Sequence, residues 1–391
     1  MSKRTLLITV LALTGAVLAG WWLYSDRGGH AGRGAPAVDV GELLGAAGGT
    51  EGYAIAVEPR EFVFPRDHGA HPDFRNEWWY FTGNLRGGDG SRFGYQLTVF
   101  RSALGPRPRG GASAWATRQA YMGHLAVTDA GAGRFRYFER FSRGAAGLAG
   151  ARSDGMSVWI EDWSVTATGN GAWRLKAAAG EGADAVALDL TLDPVKPIVL
   201  QGDRGLSRKG GGAGNASYNY SHTRIATRGT VDTAGATREV EGTSWMDREW
   251  STGILEAGQV GWDWFSVQLE NGGELMFYRL RRAGGTPDPH SQGVWVLPDG
   301  TTVGLADSEV AVDALDRWQS PRGGDYPAGW RIRVPRLSLD LELRPVLEDQ
   351  ELDLLVRYWE GAVDVTGRHG AQDVAGWGYV ELTGYTATSF H

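Results

Sequence analysis

Trp78-Trp79-Tyr80-Phe81-Thr82-Gly83-Asn84-Leu85 aligns without gaps with Trp262-Asp263-Trp264-Phe265-Ser266-Val267-Gln268-Leu269. Each stretch runs into a glycine turn, Arg86-Gly87-Gly88-Asp89-Gly90 or Asn271-Gly272-Gly273, and then a second apolar run, Leu97 to Arg101 or Leu275 to Arg279. Aromatic runs separated by glycine turns are the pattern of β-hairpins. Further on, Gly229-Thr230-Val231-Asp232 resembles Gly361-Ala362-Val363-Asp364. Gly242-Thr243-Ser244-Trp245-Met246-Asp247 likewise resembles Gly376-Trp377-Gly378-Tyr379-Val380-Glu381. Matches in the same order in both halves predict a duplicated domain. The boundary falls between Trp250 and Gly261, giving domains over residues 52–250 and 251–391.

Outside these segments the chain also reads as strands. Val186, Leu188, Leu190 and Leu192 alternate with polar or small residues, as do Leu337, Leu339, Leu341 and Leu343. Period two marks a half-buried antiparallel strand, and no long segment has helical periodicity with caps. The fold class expected is all-β, with two tandem antiparallel barrels. A sheet of about eight strands with large aromatics can close around one small ligand, although stacked sandwiches fit the same pattern.

The 17 tryptophans, 59 glycines and absence of cysteine point to aromatic cross-strand contacts or apolar pockets. They exclude disulfides, thiolate metal sites and a cysteine nucleophile. A net charge of −7 with interspersed signs argues against a nucleic-acid partner. At the N-terminus, Lys3 and Arg4 precede an uncharged run over residues 5–24, long enough to cross a bilayer. Residues 1–25 are expected to act as a signal peptide or signal anchor, with Val17-Leu18-Ala19 as a possible cleavage site. Residues 26–51 would be a flexible tether, and the remainder would be exported.

No G-x-S-x-G, H-E-x-x-H or phosphate-binding glycine loop is present, and no cofactor or metal is expected. Polar residues embedded in aromatic strands are the candidates for chemistry. His68 and His71 lie beside carboxylates and suit either a metal or a polar loop. Glu77 adjoins four aromatics and is placed facing inward. His124 shares a strand face with Met122 and Ala126, as a cavity or a core residue. The strongest cluster joins Tyr218-Asn219-Tyr220-Ser221-His222-Thr223-Arg224 to Ser244-Trp245-Met246-Asp247-Arg248-Glu249-Trp250 through a hairpin at Ala234-Gly235. Aromatic surroundings would raise the Asp247 pKa by desolvation and make it a general acid. Alternatively, Arg248 or Arg224 would neutralise Asp247 or Glu249 in a structural pair. Trp245, Trp78, Trp79, Tyr80, Trp262 and Trp264, with Glu77 and His124, are the candidate ligand contacts.

Phe64-Pro65-Arg66-Asp67-His68-Gly69-Ala70-His71-Pro72, Glu77 to Leu85, Trp245-Met246-Asp247-Arg248-Glu249-Trp250 and Gly261-Trp262-Asp263-Trp264-Phe265 together resemble the AttH-like proteins. These are often labelled secreted hydrolases and are related to carotenoid 1,2-hydratase. The resemblance covers the chain from about Val57 onward and implies two lipocalin-like domains and cofactor-free hydration of a terminal double bond. It places Asp247 at the proposed acid, Trp245 at an aromatic partner and His222 near a supporting histidine, with Glu249 and Tyr220 in support. Where the hydratases are expected to read Asp-His-Asn, this chain has Asp247-Arg248-Glu249. The resemblance also implies work beside an ABC-type export permease, so a hydro-lyase or hydrolase acting on a lipophilic isoprenoid or acyl molecule and a non-catalytic lipid carrier are both expected readings. A purely structural envelope protein is a third, which gives Asp247 beside Trp245 no purpose.

Overall fold

A computed structural model describes residues 50–106, 117–253, 255–256 and 258–386. The expected signal or anchor segment, and all of the tether but residues 50 and 51, lie outside them. Among the described residues no helix is long and apolar enough to cross a membrane. The regular structure of the described residues is strands and four short 3-10 turns, an all-β fold.

Two large antiparallel sheets carry the chain, one of 13 strands and one of 10, both within one compact unit. Each repeats one plan. The opening strand (Asn76–Gly87 or Gln259–Leu269) lies between the second strand (Arg92–Ala103 or Glu274–Arg282) and the closing strand (Ala236–Ser251 or Gln372–Thr383). First-to-last pairing curls a sheet round on itself. The first curls until nearly closed, its far edges linked where Arg140 pairs with Asp162 and lies 4.3 Å over the Trp163 ring. The second sheet forms a half-barrel.

The alternation read from the sequence is used as expected. Val186, Leu188, Leu190 and Leu192 face the first core, and Leu339, Leu341 and Leu343 the second. Each fully buried leucine contributes about 2 kcal/mol. Leu337 also packs against the second core, but from the 3-10 turn Pro335–Leu337, since left-handed Ser338 (φ 51°) delays the strand to Leu339.

The duplication has a different register from the one the sequence suggested. Tyr80 pairs with Asp247 and Trp264 with Glu381, which makes these pairs equivalent and confirms the match of the closing strands. Gly229, however, pairs with Val240, and the equivalent of Val240 is Val374, whose partner is Gly367. Gly229 therefore corresponds to Gly367 rather than Gly361.

The interiors of the curled sheets are not ligand cavities. Trp79, Phe81, Trp163, Trp173 and Leu175 fill the first, and Phe265, Trp330, Ile332 and Trp359 the second. Alternation leaves Trp78, Tyr80, Trp262 and Trp264 on the outer faces, where the two sheets meet in a third apolar cluster. A Cβ at Gly94 would lie 2.7 Å from both the Ala362 Cβ and the Tyr379 hydroxyl, so glycine there permits the close approach of the sheets.

Candidate functional site

Between the two sheets lies a cavity of about 110 Å³. Trp78, Tyr80, Phe100 and His124 supply one wall, and Trp262 and Trp264 the other. The Tyr80 and Trp264 rings meet edge to face at 5.1 Å. Asp247, Glu249 and Glu381 also open into it. Carboxyl groups walled by rings are short of solvating dipoles, and this sets their protonation.

Asp247 is buried on the closing strand of the first sheet. Its Oδ1 accepts hydrogen bonds from Ser221 Oγ at 2.5 Å and Trp245 Nε1 at 2.7 Å. Burial, with Glu249 acting in the same direction, pushes its carboxyl up to about 7, against the opposing effects of Ser221, Trp245 and Lys209. Because both donors meet Oδ1, the proton of the neutral acid belongs on Oδ2. No arginine pairs with it among the described residues. Alternation turns Arg248 to the opposite face, where it binds Glu77, and Arg224 binds Glu274 at 2.6 Å. Glu249 is the residue with a cation: Lys209 Nζ lies 3.3 Å from its Oε1, and Asn219 donates to Oε2 at 3.0 Å. Burial opposes the Lys209 charge, but Glu249 and Tyr278 outweigh it and raise the pKa.

The expected support from His222 and Tyr220 is absent. The Ala234-Gly235 turn with unbroken pairing would set His222 opposite Asp247. Between His222 and Ile225 the register instead shifts by one residue, so Ser221 faces Asp247 and His222 faces Met246. A bulge of this kind reverses every side chain beyond it. His222 thus points into the first core against Trp173, with neither ring nitrogen hydrogen-bonded, and burial lowers its pKa to about 3. Tyr220 follows it there, its hydroxyl 2.6 Å from His68 Nδ1. Exchanging His222 for leucine is expected to change stability by no more than about 1 kcal/mol, since no hydrogen bond is lost. Thermal unfolding checks it, and a loss well above that would mean that the ring has a structural role in the core.

Two further contacts are corrected. Glu77 is inward but not in the cavity, being buried between Arg101 and Arg248. Trp79 faces the first core, its Nε1 donating to the His68 carbonyl at 2.9 Å and its ring under the Arg248 guanidinium at 3.8 Å. Trp245 stands behind Asp247, edge-on to Trp264 at 6.1 Å. His124 does line the cavity, its ring nitrogens 2.8 Å from the Tyr358 hydroxyl and 3.1 Å from Glu139. His71 stacks on Trp250 at 3.7 Å and reaches Asp67 at 3.3 Å. It and His68 therefore brace the loop before the opening strand.

Sequence reasoning passed over Ser221, Asn219, Lys209, Tyr358, Glu360 and Glu381. Only Glu381 carried a signal, through its alignment with Asp247.

No curated protein sequence matches the chain. Kievitone hydratase of Nectria haematococca shares the fold over 85% of this chain and 99% of its own, at 14% identity and a TM-score of 0.59. An AttH protein of Nitrosomonas europaea is similar over 85% of this chain and 100% of its own, at 33% identity and a TM-score of 0.75. The AttH-like family profile matches residues 55–385. By that match and that likeness, the chain belongs to the AttH-like family.

Proposed function

We propose that the protein adds water to a carbon–carbon double bond of a lipophilic small molecule held between its two sheets, with Asp247 as general acid. The observation that carries this reading is a carboxyl group brought close to neutrality, inside aromatic walls and without an arginine partner. Protonating an alkene needs an acid whose proton is present near neutral pH and which the medium does not solvate as an anion. The carbocation formed needs electron-rich faces rather than a nucleophile, and Trp78, Trp262 and Trp264 offer such faces. Cleaving an ester or amide would need a nucleophile and an oxyanion site instead. Kievitone hydratase is named for a hydration reaction, and its fold is shared here. The free space of about 110 Å³ suits a reacting end of the size of one ring or a short branched chain, an engineered apolar cavity of about 150 Å³ being enough for benzene.

The same reading places the protein on the outer side of a membrane, receiving or passing its ligand beside an ABC-type permease. The placement rests on Lys3, Arg4 and the apolar run over residues 5–24, and the permease on the family resemblance. Fractionation of producing cells checks it: recovery with cytoplasmic proteins would sink the placement and leave the chemistry standing.

Incubation with an isoprenoid lipid extract in ¹⁸O-labelled water tests the reaction by mass spectrometry. The expected product carries one labelled oxygen and two added hydrogens. A molecule that co-purifies unchanged and never takes up label would make the protein a carrier. The pH dependence is specific. The active form carries the protonated acid, so turnover should fall as pH rises through about 7. Ser221→Ala removes a donor that stabilises the carboxylate, and should move that fall upward by about one pH unit. An unmoved profile would separate Asp247 from the titration.

A further inference from the structure

The reaction as drawn uses one carboxyl from the first sheet and leaves its counterpart in the second idle. Glu381 occupies the position equivalent to Asp247 and opens into the same cavity. Its cross-strand neighbour is Glu360, at the position equivalent to Ser221. Glu360 is wholly buried beside Glu381, the two carboxyl groups being close enough to share a proton. Tyr80, from the first sheet, donates its hydroxyl proton to Glu360 Oε1 at 2.8 Å, and Trp262 Nε1 donates to Glu381 Oε1. Glu360 Oε2 has no hydrogen-bond donor, so the contact between the two carboxyl groups requires a proton on one of them. Among the described residues no lysine or arginine pairs with either, Lys209 being engaged by Glu249.

The pair therefore holds one proton and one negative charge. Burial and the neighbouring carboxylate raise Glu360 well above the usual carboxylate range, and burial raises Glu381 as well, with Glu249 adding to it. Glu360 is wholly enclosed while Glu381 is partly exposed and lines the cavity, so the charge belongs on Glu381 and the proton on Glu360. Besides Glu249, the titratable groups that line the cavity with it are Tyr80, Tyr278, Tyr358, His124, Asp247 and Lys209. Tyr80 and Tyr358 are held neutral by burial.

We propose that Glu381 is the base of the hydration site, taking a proton from the incoming water while Asp247 gives its own to the double bond, with Glu360 as its positioning residue. This rests on the hydration reading above. The Asp247 O–H bond breaks as the π pair forms a C–H bond. The adjacent cationic carbon then accepts an oxygen lone pair, and the water releases a proton to the Glu381 carboxylate. Return of that proton to Asp247 by exchange with water closes the cycle with no oxidant or cofactor consumed.

Two measurements decide it. The first needs no substrate: ¹³C NMR of protein labelled at the glutamate carboxyl carbons. One carboxyl of the pair should stay protonated at neutral pH and its resonance should vanish in Glu360→Gln, whose amide still donates to Glu381. Two ionised carboxylates at neutral pH would overturn the proposal. The second uses an isoprenoid lipid extract in deuterated, ¹⁸O-labelled water. Glu381→Gln should lower ¹⁸O uptake by about 100-fold or more, while deuterium still enters the recovered alkene because Asp247 protonates it reversibly. Asp247→Asn should abolish both. Label uptake by Glu381→Gln close to wild type, or loss of its deuterium exchange, removes the base role and leaves Asp247 as acid. No uptake of either isotope by the wild type removes the hydration reading and this role with it. If Glu381→Gln does not fold, Glu360→Gln serves in both arms: it should lower ¹⁸O uptake while deuterium still enters the alkene, and an unchanged uptake or an unchanged NMR titration would count against the pair.

Discussion

Asp247→Asn should abolish turnover while making the protein more stable at alkaline pH. The amide keeps an oxygen for Ser221 and Trp245 and fits the same space, so the rings around it need not move. It has no proton of comparable acidity to give. Loss of a positioned general acid lowers rates by about 10²–10⁴-fold, and alkene protonation has no easier route between aromatic walls.

The stability half follows from linkage. The folded-state pKa of Asp247 is about 7 against an ordinary 3.8, so folding favours the protonated acid. That preference is fully present below the unfolded value and is lost as pH rises through 7. A shift of about three units corresponds to roughly 4 kcal/mol at most. Above neutrality the wild type must either bury a carboxylate or hold a proton against the solvent, and asparagine does neither. Thermal unfolding at about pH 5 and about pH 9 checks it: the variant's advantage should be larger at the higher pH. A variant that is inactive and equally destabilised at both would mean a structural Asp247.

These two halves depend on features that differ in how far the sequence discloses them. Placing Asp247 with Glu249 on one face needs only period two along six residues, and the local sequence contains it. Deciding which face looks into a barrel does not. In Trp78-Trp79-Tyr80-Phe81 both faces are apolar, because one fills the first core and the other packs against the second sheet. The usual polar–apolar contrast is erased, and a ligand site between sheets reads like one within a barrel. The bulge after His222 was equally hidden, since Thr223 and Arg224 have nothing that distinguishes them from regular strand residues. One inserted position exchanged Ser221 and Asn219 for His222 and Tyr220. Glu381 stood in plain alignment with Asp247, yet its meaning needed Glu360 and Tyr80, which lie 21 residues back on the neighbouring strand and on the other sheet.

Glu77→Gln is the substitution expected to cost the fold most. The wholly buried Glu77 carboxylate lies between two equally buried guanidinium groups, Arg101 and Arg248, and accepts the His71 amide at 3.0 Å. Burial works against its charge, but the two arginines and His71 outweigh it and hold its carboxyl far below the usual range. This contribution is present above the ordinary value of 4.5 and is lost as pH falls below it. Removing the charge leaves two buried cations uncompensated, a loss of about 3–5 kcal/mol. Arg101 also donates to the Phe74 carbonyl at 2.8 Å and Arg248 to that of Gly69 at 2.6 Å. The loop before the opening strand should therefore loosen with them, and denaturant unfolding at neutral pH measures the loss. A second effect separates this role from simple packing. Glu77 balances Arg248, the residue beside Asp247 on the closing strand. With Glu77 neutral, the uncompensated positive charge favours the Asp247 carboxylate and should draw the fall in turnover to lower pH. A destabilised variant whose pH profile stays in place would confine Glu77 to the fold; a stable one would contradict the buried pairing itself.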